Sequence, residues 1–305
     1  MSKILCSLLS ICILSLHLFS KDIDCKTYVI GARGVGFFSE FFGTIQNIIW
    51  CREKGLEPVV FWNEKCCYYE PEGFLGLHNA WEYYFEPVSK AIYAPYNAIH
   101  REYSMPIGFE IPYKDFHDIE NIRLKVSQVI TKYIKIKPYI SNIVNDFYTK
   151  YMDNSVVIGI HLRGSDKGAE ADAIKPIDVI NKAQEYAESV KNMTTGSSVK
   201  FLVASDEARL INFARKKLQG TVITYDGATR STNGKPVHIS DKDDKKEMGY
   251  RANLGRDVLV EVLLLARCQF FVHSQSNVST AVIFFNPELI HFQFNGYAKI
   301  DEIID

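Results

Sequence analysis

The sequence lacks a dominant charge: Lys plus Arg number 35 and Asp plus Glu 36 in 305 residues, a formal net charge of −1. No overall field therefore points to nucleic acid or an acidic surface as the main partner, and any charge logic must be local. There is no internal repeat, which excludes a stacked-repeat architecture. There is no Asp-x-Asp run at an expected strand end, and the one acidic cluster, "DKDD" (241–244), falls in a polar stretch without period, so no metal site is expected. Paired cysteine spacings are missing too. With Cys6 and Cys12 of the leading segment set aside, Cys25, Cys51, Cys66, Cys67 and Cys268 are odd in number and suggest neither a metal site nor a disulfide framework. Cys51 and Cys268 lie in helix-like apolar stretches, where a buried free thiol is the simpler reading.

One long uncharged run is present. Ile4 to Phe19 follows Lys3 and precedes the polar "SKDIDCK", so residues 1–20 read as a secretory signal peptide or a short signal anchor. The run is marginal for spanning a bilayer and contains His17, which favours cleavage. Leu18, two before Ser20, departs from a small-x-small cleavage site and keeps a retained anchor open. Either way the main body is expected to be exported, to a Golgi-lumen-like or periplasmic compartment, with membrane attachment only if the segment is kept. Two sequons, at Asn192 and Asn277, matter only in a eukaryotic secretory route.

What remains is rich in apolar material, 47% hydrophobic and 13% aromatic, enough for a large core and two α/β units. The first unit, residues 21–153, opens as a βαβ: strand "TYVI", the loop "GARGVG", a helix from about Ser39 to Lys54 with Gly55 as its stop, and strand "PVVFW". The aromatic stretch that follows has no clean period. Trp62, Trp81, Tyr83 and Phe85 there could form a sugar platform or simply fill the core. Helices are expected at Phe116–Ile134 and Tyr139–Asp153. The second unit, 154–305, alternates regularly. Strand "VVIGIHL" is followed by helix Pro176–Lys191, strand "VKFLVA", "SDE" as an N-cap for helix Glu207–Leu218, and strand "TVITYD". A polar loop then leads to helix Gly255–Cys268 and strand "QFFVHS". This is the pattern of a parallel sheet, which binds ligands at the carboxyl ends of its strands.

At that place stands "HLRGSDK". His161 and Arg163 leave an extended strand on the same face, and Gly164 permits a turn and a close approach. A guanidinium offers parallel donors that match two phosphate oxygens, and its charge can stabilise a departing diphosphate without a metal. A plain alternative is a structural salt bridge between Arg163 and Asp166. A second candidate is Glu40, after "GVGFFS" in the first turn of its helix. Facing a cleft, its carboxylate could act as a base; otherwise it stabilises the helix dipole.

The runs "IGIHLRGSDK", "FLVASDEARL" and "VLVEVLLLARCQFFVHSQSNVS", in this order, resemble the three peptide motifs of the α1,6-fucosyltransferase family, which includes the nodulation fucosyltransferases and is related to protein O-fucosyltransferases. "GVGFFSEFFGTIQNIIWCREKGLEPVVFW" is similar to the opening of the nodulation enzyme. The resemblance implies GT-B architecture, two Rossmann-like domains facing across a cleft. It also implies an inverting, metal-independent transfer of L-fucose from GDP-fucose to a glycan or protein-linked hydroxyl, with no cofactor. It assigns Arg163 to the β-phosphate and His161 to the nucleotide, with Asp166 and Lys167 beside them in the donor site. Glu261, one methylene longer than the family's Asp, falls to guanine, and Ser276 and Asn277 to the phosphates. From the residues alone, Glu261 could equally be an exposed helix residue and Ser276 a helix N-cap. The family's tandem arginine is replaced here by Gly164, so the acceptor is not inherited. Two other readings stand: an α1,2-fucosyltransferase-like enzyme, although the usual tryptophan pair is absent after "SQSNVST", and an inactive nucleotide- or glycan-binding relative.

Overall fold

The computed structural model describes residues 27–90, 119–164, 173–193, 198–232, 247–294 and 297–298. The leading segment, Cys25, Asp166, Lys167 and the "DKDD" cluster lie outside them.

The chain begins with β1 (Thr27–Gly31), α1 (Phe37–Glu53) and β2 (Glu57–Phe61), the two strands pairing in parallel with Val29 opposite Val59. Helix α1 starts two residues before Ser39 because Gly36, in extended backbone, already serves as its N-cap. It stops where expected, at Gly55, whose φ of 65° favours glycine. Phe38, Phe41, Phe42, Ile45 and Ile48 are all buried, so α1 is wrapped by protein rather than lying on a surface. Trp62, Trp81, Tyr83 and Phe85 have no exposed surface and are core, not a sugar platform. Asn79 fastens their segment, its amide oxygen accepting from the backbone N–H groups of Trp62 and Trp81 and its amide nitrogen donating to Val60 O.

Helices α2 (Ile119–Tyr133) and α3 (Pro138–Phe147) follow. The second is shorter than expected. Past Phe147 the chain widens into a π-type turn, Tyr148–Met152, before β3 (Val156–His161).

From there the alternation is regular: β4 (Ala173–Ile174), α4 (Pro176–Met193), β5 (Val199–Ala204), α5 (Ala208–Lys217), β6 (Thr221–Ile223), α6 (Tyr250–Leu265), β7 (Phe270–Ser274), α7 (Asn277–Phe285), β8 (Ile290–Phe294) and β9 (Tyr297–Ala298). Strands β3, β5, β6, β7 and β8 make one parallel sheet in the order β6-β5-β3-β7-β8, and β4 pairs with β9. The chain enters in the middle, builds outward to β6, then returns to the other side of β3. The β3/β7 border is therefore the topological switch point, outside whose carboxyl edge such sheets bind ligands.

The two faces are packed differently. Ile158, Ile160 and Leu162 enter a cluster with Val179 and Ile180 of α4 and Leu210 of α5. Val157 and Phe271 join the other, larger cluster with Leu259 and Val262 of α6 and Phe284 of α7. That larger cluster does not stop at Asn154. Phe42 meets Phe284 with ring centroids 5.5 Å apart, and Phe41 meets Phe285 at 5.9 Å.

Helix α6 begins at Tyr250, five residues before the expected start. Gly255 is not its first residue but a contact point inside it: a Cβ there would lie 2.3 Å from Tyr84 Oη, which donates to Ala252 O. The start is held instead by Glu70, whose Oε1 accepts from the backbone N–H groups of Arg251 and Ala252 at 2.6 and 3.1 Å. A carboxylate there fills orphan donors and faces the positive end of the helix dipole.

Candidate functional site

Three strand ends meet around the switch point. His161 ends β3, opposite His273 of β7 and Ala204 of β5. Leu162 enters the α4–α5 core, while His161 turns to the α7 side. There its Nδ1 lies 2.9 Å from Ser279 Oγ and 3.4 Å from Ser276 Oγ. Ser276 is the N-cap of α7, its Oγ accepting from Ser279 N at 3.0 Å. The N-cap alternative thus holds for Ser276, whose hydroxyl is buried beside His161 just past the end of β7. Asn277, the first residue of α7, is half-buried beside it. Burial first, and then the nearby Arg163 charge, lower the His161 pKa to about 3, so the ring is neutral at physiological pH.

Arg163 follows, half-buried. Gly164 N donates to Asp206 Oδ1 at 2.8 Å, which stitches the end of β3 to the end of β5. A Cβ on Gly164 would stand 2.3 Å from Glu207 Cγ and 2.9 Å from Asp206 Oδ1. Any side chain there, a second arginine included, would displace the side chains of Glu207 and Asp206. The expected "SDE" cap is also rearranged, since Asp206 serves Gly164 and the Glu207 N–H goes to Ser205 Oγ. The same turn is zipped to Ser231, with Ser231 N donating to Asp206 O and Ala208 N to Ser231 O.

Beside Ser231, Arg230 is locked in place. Its guanidinium donates to Ala228 O, Tyr225 O and, at 2.7 Å, to Glu261 Oε1. Glu261 is therefore not an exposed helix residue: its side chain keeps about a tenth of its surface. Burial pushes its pKa to about 7 against the pull of Arg230, and Asp257 and Asp206 add to the rise. One turn earlier on α6, Asp257 pairs with Arg256 at 2.7 Å.

Glu40 departs from expectation. Its Oε1 accepts from three successive backbone N–H groups, those of Arg33, Gly34 and Val35, at 2.8, 2.6 and 3.0 Å, and the side chain is almost wholly buried. Arg33 adds an ion contact at 3.7 Å and also donates to Ser39 O and Ser39 Oγ. Rather than facing a cleft as a base, Glu40 is the buried acceptor around which the "GARGVG" loop is folded.

Sequence reasoning missed Asp206, Arg230, Ser279 and Glu70. Ser279 had a signal, the S-x-x-S spacing of a capped first turn; Arg230, in a loop without period, had none.

Sheet order and the surrounding helices define the class, an α/β protein built on a five-stranded parallel sheet. No family model and no curated protein matches the sequence. In structure the chain is similar to the fucosyltransferase NodZ from Bradyrhizobium, at 14% identity over 86% of this chain and 94% of that one, with a TM-score of 0.54. It is equally similar to NodZ α1,6-fucosyltransferase co-crystallised with GDP (13% identity, 89% and 95% coverage, TM-score 0.54) and soaked with GDP-fucose (14%, 88% and 95%, 0.53). The chain shares their fold.

Proposed function

We propose that this protein is a fucosyltransferase that moves L-fucose from GDP-fucose, with inversion and without a metal, to a glycan or protein-linked hydroxyl. The observation that carries the reading is the convergence of His161, the Arg163 turn and the α7 N-terminus at the switch point of a sheet shared with enzymes solved with GDP and GDP-fucose. In this reading the diphosphate lies against the first turn of α7, where Ser276, Asn277 and the helix dipole favour negative charge. Arg163 grips the β-phosphate, Asp166 and Lys167 take part in donor binding as the resemblance implies, and Glu261 accepts from guanine. Charge growing on the departing diphosphate is then met by a preorganised guanidinium, which acts on the transition state. The base that takes the acceptor proton is a group other than Glu40. The chain is exported on its first twenty residues, divides functionally near Asn154, and needs no cofactor.

Substituting Arg163 tests the reading. Lysine keeps the charge but loses the fork, so Arg163→Lys is expected to fold normally, bind GDP less tightly and lower transfer per folded molecule by roughly a hundredfold or more, with Arg163→Ala worse. EDTA is expected to leave transfer unchanged. Near-normal turnover in folded Arg163→Ala would reduce the turn to a structural contact, and activity restored by Mn²⁺ after EDTA would remove the metal-free mechanism.

A further inference from the structure

We propose that Ser279 is a positioning residue that fixes the tautomer of His161. The ring then offers the bound nucleotide a hydrogen-bond acceptor at Nε2, a partner for a ribose hydroxyl or base N–H and not for phosphate. The inference deepens the donor-binding reading above and rests on it.

One proton assignment satisfies the short contacts together, the 3.4 Å approach of Ser276 Oγ to His161 Nδ1 being too long to compete. Ser279 Oγ makes three short contacts: 2.9 Å to Ser274 O, 2.8 Å to Ser276 Oγ and 2.9 Å to His161 Nδ1. A carbonyl oxygen only accepts, so the single Ser279 O–H is committed to Ser274 O. Ser276 Oγ already accepts from Ser279 N, and its own proton is free to go to Ser279 Oγ. Ser279 Oγ then has only lone pairs for His161. A bare Nδ1 at 2.9 Å would face it lone pair to lone pair, so Nδ1 carries the proton. A neutral imidazole protonated at Nδ1 has its lone pair at Nε2.

The geometry also separates tasks along β3. His161, buried and uncharged, contributes direction; Arg163, two residues on, contributes charge. Ser279 is fully buried and touches both His161 and the cap residue Ser276, so an effect through the ring is told from one through Ser276 by comparing GDP with pyrophosphate, which only the second would weaken.

Ring-¹⁵N correlation spectra of the wild-type protein read the tautomer directly. The Nδ1–H form is expected for His161, and an Nε2–H form or an exchanging mixture would overturn the proposal. Affinities for GDP and for inorganic pyrophosphate give the second arm, measured on Ser279→Ala and Ser279→Thr beside melting curves. Ser279→Ala is expected to mix the tautomers and weaken GDP about tenfold, the scale of one lost hydrogen bond, while pyrophosphate stays within about twofold. Threonine keeps the hydroxyl and is expected to restore both the spectrum and GDP binding. Equal losses for GDP and pyrophosphate would assign the histidine to the phosphates and contradict the inference. Should Ser279→Ala not fold, the wild-type spectrum still decides. A wild type that shows the Nδ1–H form yet ignores GDP would remove the donor reading and leave the tautomer standing.

Discussion

A carboxylate with about a tenth of its surface in water and one guanidinium for company gives up its proton late, and Glu261 does so near pH 7 instead of near its ordinary 4.5. Because the folded-state pKa is raised, its contribution to stability is fully present below about pH 4.5 and is lost as pH rises through 7. The scale is about 3 kcal/mol from the size of the shift. Binding has the opposite sign. Guanine presents N–H donors, which only the ionised carboxylate accepts well, so GDP affinity is expected to rise between pH 6 and 8. Calorimetric titration of wild type and Glu261→Gln checks this, since the phosphates titrate equally in both; a wild-type slope no steeper than that of Glu261→Gln would take Glu261 out of guanine recognition. The residues legible in the sequence were those whose role is local. His161, Arg163 and Ser276 announce themselves by strand alternation and by an N-cap position. Arg230 with Glu261, Gly164 with Asp206, and His161 with Ser279 lie 31, 42 and 118 residues apart, and only the fold brings them together.

Elements were legible where a backbone rule ends them and illegible where a tertiary contact does. Gly55 stops α1 as its left-handed conformation demands. The start of α6 was misread because Gly255 looks like a helix boundary, whereas it is a gap left for Tyr84. The "GARGVG" loop belongs to the second kind. It is folded around Glu40 Oε1, and three N–H groups lose their acceptor if that oxygen goes. Glu40→Ala is therefore expected to cost roughly 3 kcal/mol of stability, at about 1 kcal/mol per hydrogen bond. Glu40→Gln, which retains an oxygen acceptor, is expected to cost less and to keep transfer per folded molecule within a few-fold of wild type. Denaturant unfolding and turnover on the same samples decide: a hundredfold loss in well-folded Glu40→Gln would return the residue to the role of base.

At the scale of the whole molecule, the large core runs through α1, α6 and α7 and so ties the chain before Asn154 to the chain after it. Glu70 is the polar counterpart of that tie, an N-terminal cap delivered to α6 from about 180 residues earlier in sequence. Glu70→Ala is expected to lower stability by about 1–2 kcal/mol, the range for a lost cap, without changing the cooperativity of unfolding; a variant with unaltered midpoint would mean that the cap contributes nothing. The alternation that betrayed the parallel sheet was plain in the sequence because buried parallel strands and their crossover helices each have a strong period. The irregular aromatic segment had no period, so only the structure could assign it to the core. On the proposed reading, the carboxyl edge of the β3/β7 border binds GDP. Melting curves with GDP, UDP, CMP and ADP test it most directly, because a ligand that prefers the folded state adds about 2.7 kcal/mol at a hundred times its Kd. GDP is expected to raise the melting temperature by several degrees and the other nucleotides by clearly less; a larger shift with UDP, or none with GDP, would contradict the assignment.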